Sequence, residues 1–299
     1  MSEALVALAG TEAGRTLALG LALLAAFSHA LLGALQKGRW DPWMTRGAID
    51  IFAFIGAVPV ALFLVPWPEP QMWPIFLGMA VIHAAYKSVQ AAAYARGAYT
   101  VVYPVARGTG PLFTVLAAGI VFGEVFTPGQ WAGLAALVGG IFGLALWNLR
   151  TITLDRETML PALGLAVLTG AFIALYTTYD AWGIRQTADP FTFLAWFFIL
   201  DNLFLPALAA RRIAALPGTE RRALFLKGAT GALVAYVSFG SIMLATRIGN
   251  VGEAAVLRET SVVFAALIGW AVLGERTGPR RVALMGVIAA GAVAVKLAG

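Results

Sequence analysis

Apolar residues run along this chain in blocks of about twenty, separated by short polar punctuation. A helix rises about 1.5 Å per residue and a bilayer core is about 30 Å thick, so each block is long enough to cross a membrane. Ten such blocks occur, near 17–36, 47–66, 73–94, 98–122, 129–148, 160–182, 190–209, 223–245, 251–273 and 280–298. Most connections are a few residues long; the longer polar ones are 150–158 (RTITLDRET) and 211–222 (RRIAALPGTERR). No segment is polar and long enough to form a water-facing domain. The first block, LALGLALLAAFSHA, has the look of a signal-peptide core ending in a small-x-small site at Ser28–Ala30. Residues 1–14 carry Glu3 and Glu12 but no base, and the apolar run continues past Ala30, so the block is read as a retained span. The predicted fold is an all-α membrane protein of ten transmembrane helices.

The blocks repeat. A shift of 151 residues superposes Arg96 on Arg247, Arg107 on Arg258, Thr109 on Thr260, Phe113 on Phe264, Glu124 on Glu275 and Pro128 on Pro279. ALGLALL (18–24) also faces ALGLAVL (162–168), at a slightly shorter offset. The expected organisation is a five-helix repeat over 1–149, a connecting loop at 150–158, and a second five-helix repeat over 159–299. An odd number of spans per repeat places the two in opposite orientations, the inverted arrangement of many secondary transporters.

Composition agrees and excludes alternatives. Of 299 residues, 60% are hydrophobic and 12% charged, far from the roughly 25% charged of a soluble domain. With no cysteine and only His29 and His83, neither a disulfide nor a metal site is expected. The net charge of +6 is read as loops facing the cytoplasm, not as a nucleic-acid surface. Fourteen bases fall on one side of the predicted topology and four (Arg15, Arg185, Arg247, Lys296) on the other; Lys87, Arg107 and Arg258 lie inside spans. The positive-inside rule then puts both termini outside.

Each half closes with a Gly-Glu turn, FGEVFTPGQWAG (122–133) and LGERTGPRRVALMG (273–286), before a Gly/Ala-rich last helix. With the ten spans and the repeat, these turns resemble the EamA-type transporters of the drug/metabolite transporter superfamily, over essentially the whole chain. The resemblance implies a carrier of small polar metabolites, an exporter of amino acids from the bacterial inner membrane, with the aromatic amino acid exporters as the suspected branch. Members of that family typically keep both termini in the cytoplasm, opposite to the charge count.

Polar residues inside spans are expensive and mark function. His83, Tyr86, Lys87, Gln90 and Tyr94 recur at i, i+3, i+4, i+7 and i+11 on one helix face, which must look onto protein or a watery cavity rather than lipid. Tyr99, Tyr103 and Arg107 follow on the fourth span, where Pro104 and Pro111 are expected to kink or break the helix. The ninth span offers Arg258 and Glu259. Neighbours on a helix do not face one another, so Glu259 is expected to pair with Arg107. Tyr176, Tyr179, Trp196 and Tyr236 complete the candidate binding set, while Gln36, Asp50 and Asp180, near span ends, read as interface residues. Trp40, Trp43, Trp67, Trp73 and Trp147 read as headgroup anchors. Gly129, Gly133, Gly140, Gly143, Gly286 and Gly291 predict close helix packing, within the chain or in a homodimer.

Tyrosines and both signs of charge suit a zwitterion with a ring, so aromatic amino acids fit; an organic cation or drug is the alternative cargo. No cofactor is expected. There is no phosphate-binding loop, no H-E-x-x-H and no G-x-S-x-G, so neither P-loop ATP hydrolysis nor a familiar hydrolase is indicated. The bilayer and a small molecule are the expected partners.

Overall fold

Helix starts follow from capping residues in the sequence. In the computed structural model, which describes residues 2–36, 40–97, 99–151, 156–271 and 278–299, thirteen helices account for nearly all of those residues. Short α1 (Ser2–Ala7) precedes α2 (Glu12–Gln36). There the Thr11 hydroxyl accepts the Gly14 N–H at 3.0 Å. The helix α3 (Pro42–Phe63) starts at a proline behind Asp41, whose carboxylate accepts the Trp43 N–H at 2.7 Å. Then come α4 (Met72–Arg96), α5 (Tyr99–Phe122) and α6 (Pro128–Thr151). Thr127 and Gln130 form a reciprocal capping box at the head of α6, with Pro128 in the first turn. The second half runs α7 (Arg156–Arg185), α8 (Pro190–Asp201), α9 (Phe204–Ala214), α10 (Gly218–Ile248), α11 (Val251–Arg258), α12 (Ser261–Ala271) and α13 (Pro279–Leu297).

Eight helical stretches among the described residues are long and apolar enough to cross a membrane, and α8 with α9 makes a ninth if taken as one bent span. A shorter apolar helix covers Val282–Leu297. Large apolar side chains stand on the outside: Phe63, Ile120 and Leu297 are at least 80% exposed, an arrangement water would penalise and lipid would not.

Two spans expected to be continuous are broken. The run 190–209 divides at residues 202–203 with a bend of 44°. The Asn202 side-chain amide donates to the Phe198 carbonyl at 2.7 Å, competing for the acceptor its own backbone would use. The run 251–273 divides after Arg258, where bonds from Glu259, Thr260, Val262 and Val263 reach back three residues instead of four. The Thr260 hydroxyl also takes the Leu257 carbonyl at 2.7 Å. The prolines of the fourth span, by contrast, do not interrupt it: α5 continues through both Pro104 and Pro111. The loss of one backbone donor at each is absorbed by a helix whose neighbours hold it in place.

The chain forms two compact units that are not the sequence halves. The first comprises 1–80 and 181–249, the second 81–180 and 250–299, so α4 and α7 each contribute to both. In the first unit α10 packs along α2 and α3, around Leu32, Ile49 and Ala235. Met44, Ala48, Ala209, Ile213 and Leu224 join α3, α9 and α10. Glu69, outside the spans, is tied to the start of this unit's second segment, accepting from the Thr187 hydroxyl at 3.1 Å and the Ala188 N–H at 3.2 Å. Burial pushes its carboxyl up, but these bonds and one from its own backbone outweigh that and hold it below the usual range.

In the second unit α6 lies against α13 through the glycine stripe. A Cβ at Gly133 would come within 2.7 Å of the Gly291 carbonyl oxygen and the Val295 nitrogen, and one at Gly291 within 2.6 Å of Gly133 and Leu137 backbone. Glycine is required at both because the obstacle is backbone. Gly129, Gly140 and Gly143 also face α13 or the residue after it, whereas Gly286 meets nothing within 4 Å. The stripe on α6 is therefore used inside the chain. The second Gly-Glu turn, with Arg276, lies outside the described residues, as do Lys37, Arg39 and residues 152–155 of the connecting loop.

Candidate functional site

Five helices of the second unit, α4, α5, α7, α11 and α12, bring polar residues into one network in which His83, Arg107, Tyr176, Asp180, Arg258 and Glu259 are buried and Tyr86, Gln90 and Tyr103 half-buried. From α4 come His83, Tyr86 and Gln90, one face as the spacing predicts. His83 Nε2 lies 2.9 Å from Asp180 Oδ2, and both residues are 4% exposed. The Gln90 amide donates to the Tyr86 hydroxyl at 2.6 Å. Tyr176 of α7 is the hub, its ring 4.9 Å from those of His83 and Tyr86. Its hydroxyl accepts from Arg258 Nη2 at 3.1 Å.

The two arginines differ in company. Arg107 Nε forms an ion pair with Glu259 Oε2 at 2.9 Å, with both side chains buried, and Arg107 Nη2 donates to the Ser261 hydroxyl at 3.2 Å. This is the pairing expected from the helix geometry. Arg258 is as buried, at 4% exposed, but its contact is the neutral Tyr176 hydroxyl. Tyr103 lies within electrostatic reach of Arg107, Glu259, Arg258 and Tyr176. Residues 258 and 259 diverge around the helix axis, so each is held by a different neighbour.

Asp180 corrects an expectation. Read as an interface residue, it is buried against His83, because α7 extends to Arg185 and leaves it more than one turn inside the helix. Asp50 is likewise fully buried and bonded to Arg46 Nε at 2.7 Å, one helical turn away. Ser261 was not anticipated; it stands three residues after Arg258, where the helix restarts.

The remaining candidates go elsewhere. Lys87 and Tyr179 are half-buried on α4 and α7. The side chain of Tyr99 lies outside the described residues. Trp196 and Tyr236 belong to the first unit. Trp196 stacks among Trp67 and Trp73, with ring centroids at 5.3 and 4.9 Å, which draws two of the expected headgroup anchors into an aromatic cluster. Tyr236 packs edge-on to Phe198 and donates to the Ala53 carbonyl.

The first Gly-Glu turn has a structural role beside the network. Gly123 takes a positive φ of 68°, which turns the chain at the end of α5. Glu124 then caps α11: its carboxylate accepts the Val251 N–H at 2.6 Å and the Gly252 N–H at 2.9 Å. A carboxylate at a helix N-terminus satisfies donors that have no partner in the helix and opposes the positive end of its dipole. Lys296 Nζ reaches Glu253 in the same first turn at 3.1 Å. Both fix the helix that carries Arg258.

Comparison with known proteins supports the architecture. A solved crystal structure aligns with 96% of this chain and 99% of its own, at a TM-score of 0.71 and 17% identity, which speaks for a shared fold. No curated protein sequence matches. The profile of the EamA-like transporter family matches twice, over residues 16–146 and 160–297, once in each half of the chain. The chain thus belongs to the EamA-like transporter family, the membrane transporters of the drug/metabolite transporter superfamily.

Proposed function

We propose that this transporter exports small metabolites, amino acids including aromatic ones, by alternating access, and that cargo binds at the network around Tyr176. The observation that carries the proposal is a site combining buried fixed charges of both signs with three tyrosines, Tyr176 buried and Tyr86 and Tyr103 half-buried. Guanidinium suits a carboxylate, the Glu259 carboxylate or a tyrosine face suits an ammonium, and rings accept a ring. The reading includes ten spans, with α8–α9 as one bent span and α13 as the last, arranged as inverted repeats over 1–149 and 159–299. Proteoliposomes should show saturable uptake of labelled tryptophan, phenylalanine and leucine. Flux of a hydrophobic cation dye without amino acid flux would move the cargo to the drug-carrier class.

The bacterial inner membrane is the proposed location, with both termini outside, on the distribution of bases. The chain has no cysteine, so a single cysteine at Ser2 is a clean reporter. A membrane-impermeant maleimide should label Ser2→Cys on spheroplasts, without permeabilisation. Labelling only after permeabilisation would place the terminus in the cytoplasm.

A further inference from the structure

Two buried guanidiniums, Arg107 and Arg258, stand in the network with one ion-paired carboxylate, Glu259, between them. Glu259 is ion-paired with Arg107, and Asp180 lies against His83. Among the described residues no carboxylate forms an ion pair with Arg258, whose Nε also lacks a hydrogen-bond partner although the side chain is 4% exposed. Glu259 lies within electrostatic reach of Arg258 but makes its ion pair with Arg107, so the cost of burying the Arg258 guanidinium in a membrane-spanning segment is offset only in part. Its helix is nevertheless anchored at its first turn by Glu124 and Glu253, so the guanidinium is held in place, not left to withdraw.

Resting on the proposed binding site at Tyr176, we propose that Arg258 is the carboxylate-binding residue and that the cargo brings an anionic group to it. Arg107 is then structural, its charge already neutralised by Glu259. The transported class is defined by the carboxylate: amino acids enter, and the corresponding amides and amines do not. A free inorganic anion shares this chemistry and is the competitor to distinguish.

Thermal stability of the purified protein in low-chloride detergent buffer tests this with five probes: phenylalanine, phenylalaninamide, phenethylamine, 3-phenylpropionate and chloride. Phenylalanine and 3-phenylpropionate should each raise the wild-type melting temperature. The amide and amine should require at least tenfold higher concentration for the same shift. Arg258→Gln should abolish the acid-dependent shift, Arg258→Lys should restore part of it, and ligand-free Arg258→Gln should melt no lower than wild type. If 3-phenylpropionate stabilises in an Arg258-dependent way and phenylalanine does not, the carboxylate subsite stands and the amino acid reading falls. Equal stabilisation by acid and amide, retained in Arg258→Gln, would overturn the subsite and leave amino acid binding intact. A shift with chloride alone, or a ligand-free Arg258→Gln several degrees less stable than wild type, would also overturn it.

Discussion

Arg107→Ala is expected to melt far below wild type, with a loss of about 3–5 kcal/mol, the range for removing one partner of a buried ion pair. Glu259, 1% exposed, would be left charged in a low-dielectric interior, and the Ser261 hydroxyl would lose its donor. Glu259→Ala should cost at least as much, since it leaves two buried guanidiniums with no carboxylate between them. The pair Arg107→Met with Glu259→Leu removes both charges and fills similar volume, so it should recover most of the loss. Melting curves of the four proteins, treated as a double-mutant cycle, give the coupling directly. An Arg107→Ala protein as stable as wild type would mean that the pair is not needed for the fold.

The second large effect is on cargo selection at Tyr176. Its ring touches those of His83 and Tyr86, and its hydroxyl holds Arg258, so one side chain connects the aromatic and charged parts of the network. Leucine at this position keeps apolar volume but removes the ring face. Aromatic pairs contribute about 0.5–1.5 kcal/mol beyond area burial, so affinity for an aromatic cargo should fall about tenfold at the upper end. An aliphatic cargo loses little of that term. Selectivity for phenylalanine over leucine should therefore collapse, while thermal stability tells whether the variant folds.

Much of this arrangement is legible in the sequence because it depends on helix periodicity. His83, Tyr86 and Gln90 share a face by spacing alone, and Arg107 with Glu259 follows from the rule that adjacent residues diverge around a helix. The 151-residue repeat marks the two segments that the family profile matches. What was not legible depends on where helices end or break. Hydropathy averages over a window, so it smooths across Asn202 and Glu259, where no proline signals an interruption and side-chain hydrogen bonds make it. The same averaging put Asp180 at a span end, when α7 carries it inside against His83. Trp196 and Tyr236 look like site residues by type; their neighbours Trp67, Trp73 and Phe198 are distant in sequence, and no period announces them. The Gly-Glu motif reads as a family signature, but its carboxylate caps a helix more than a hundred residues away.

The most direct test is the ratio of phenylalanine to leucine uptake in proteoliposomes containing wild type, Tyr176→Leu or Tyr236→Leu, each checked for folding. If cargo sits at the Tyr176 network, the ratio falls about tenfold in Tyr176→Leu and stays near wild type in Tyr236→Leu. A ratio that falls in Tyr236→Leu and is unchanged in a folded Tyr176→Leu protein would contradict the account and move the site to the aromatic cluster of the first unit.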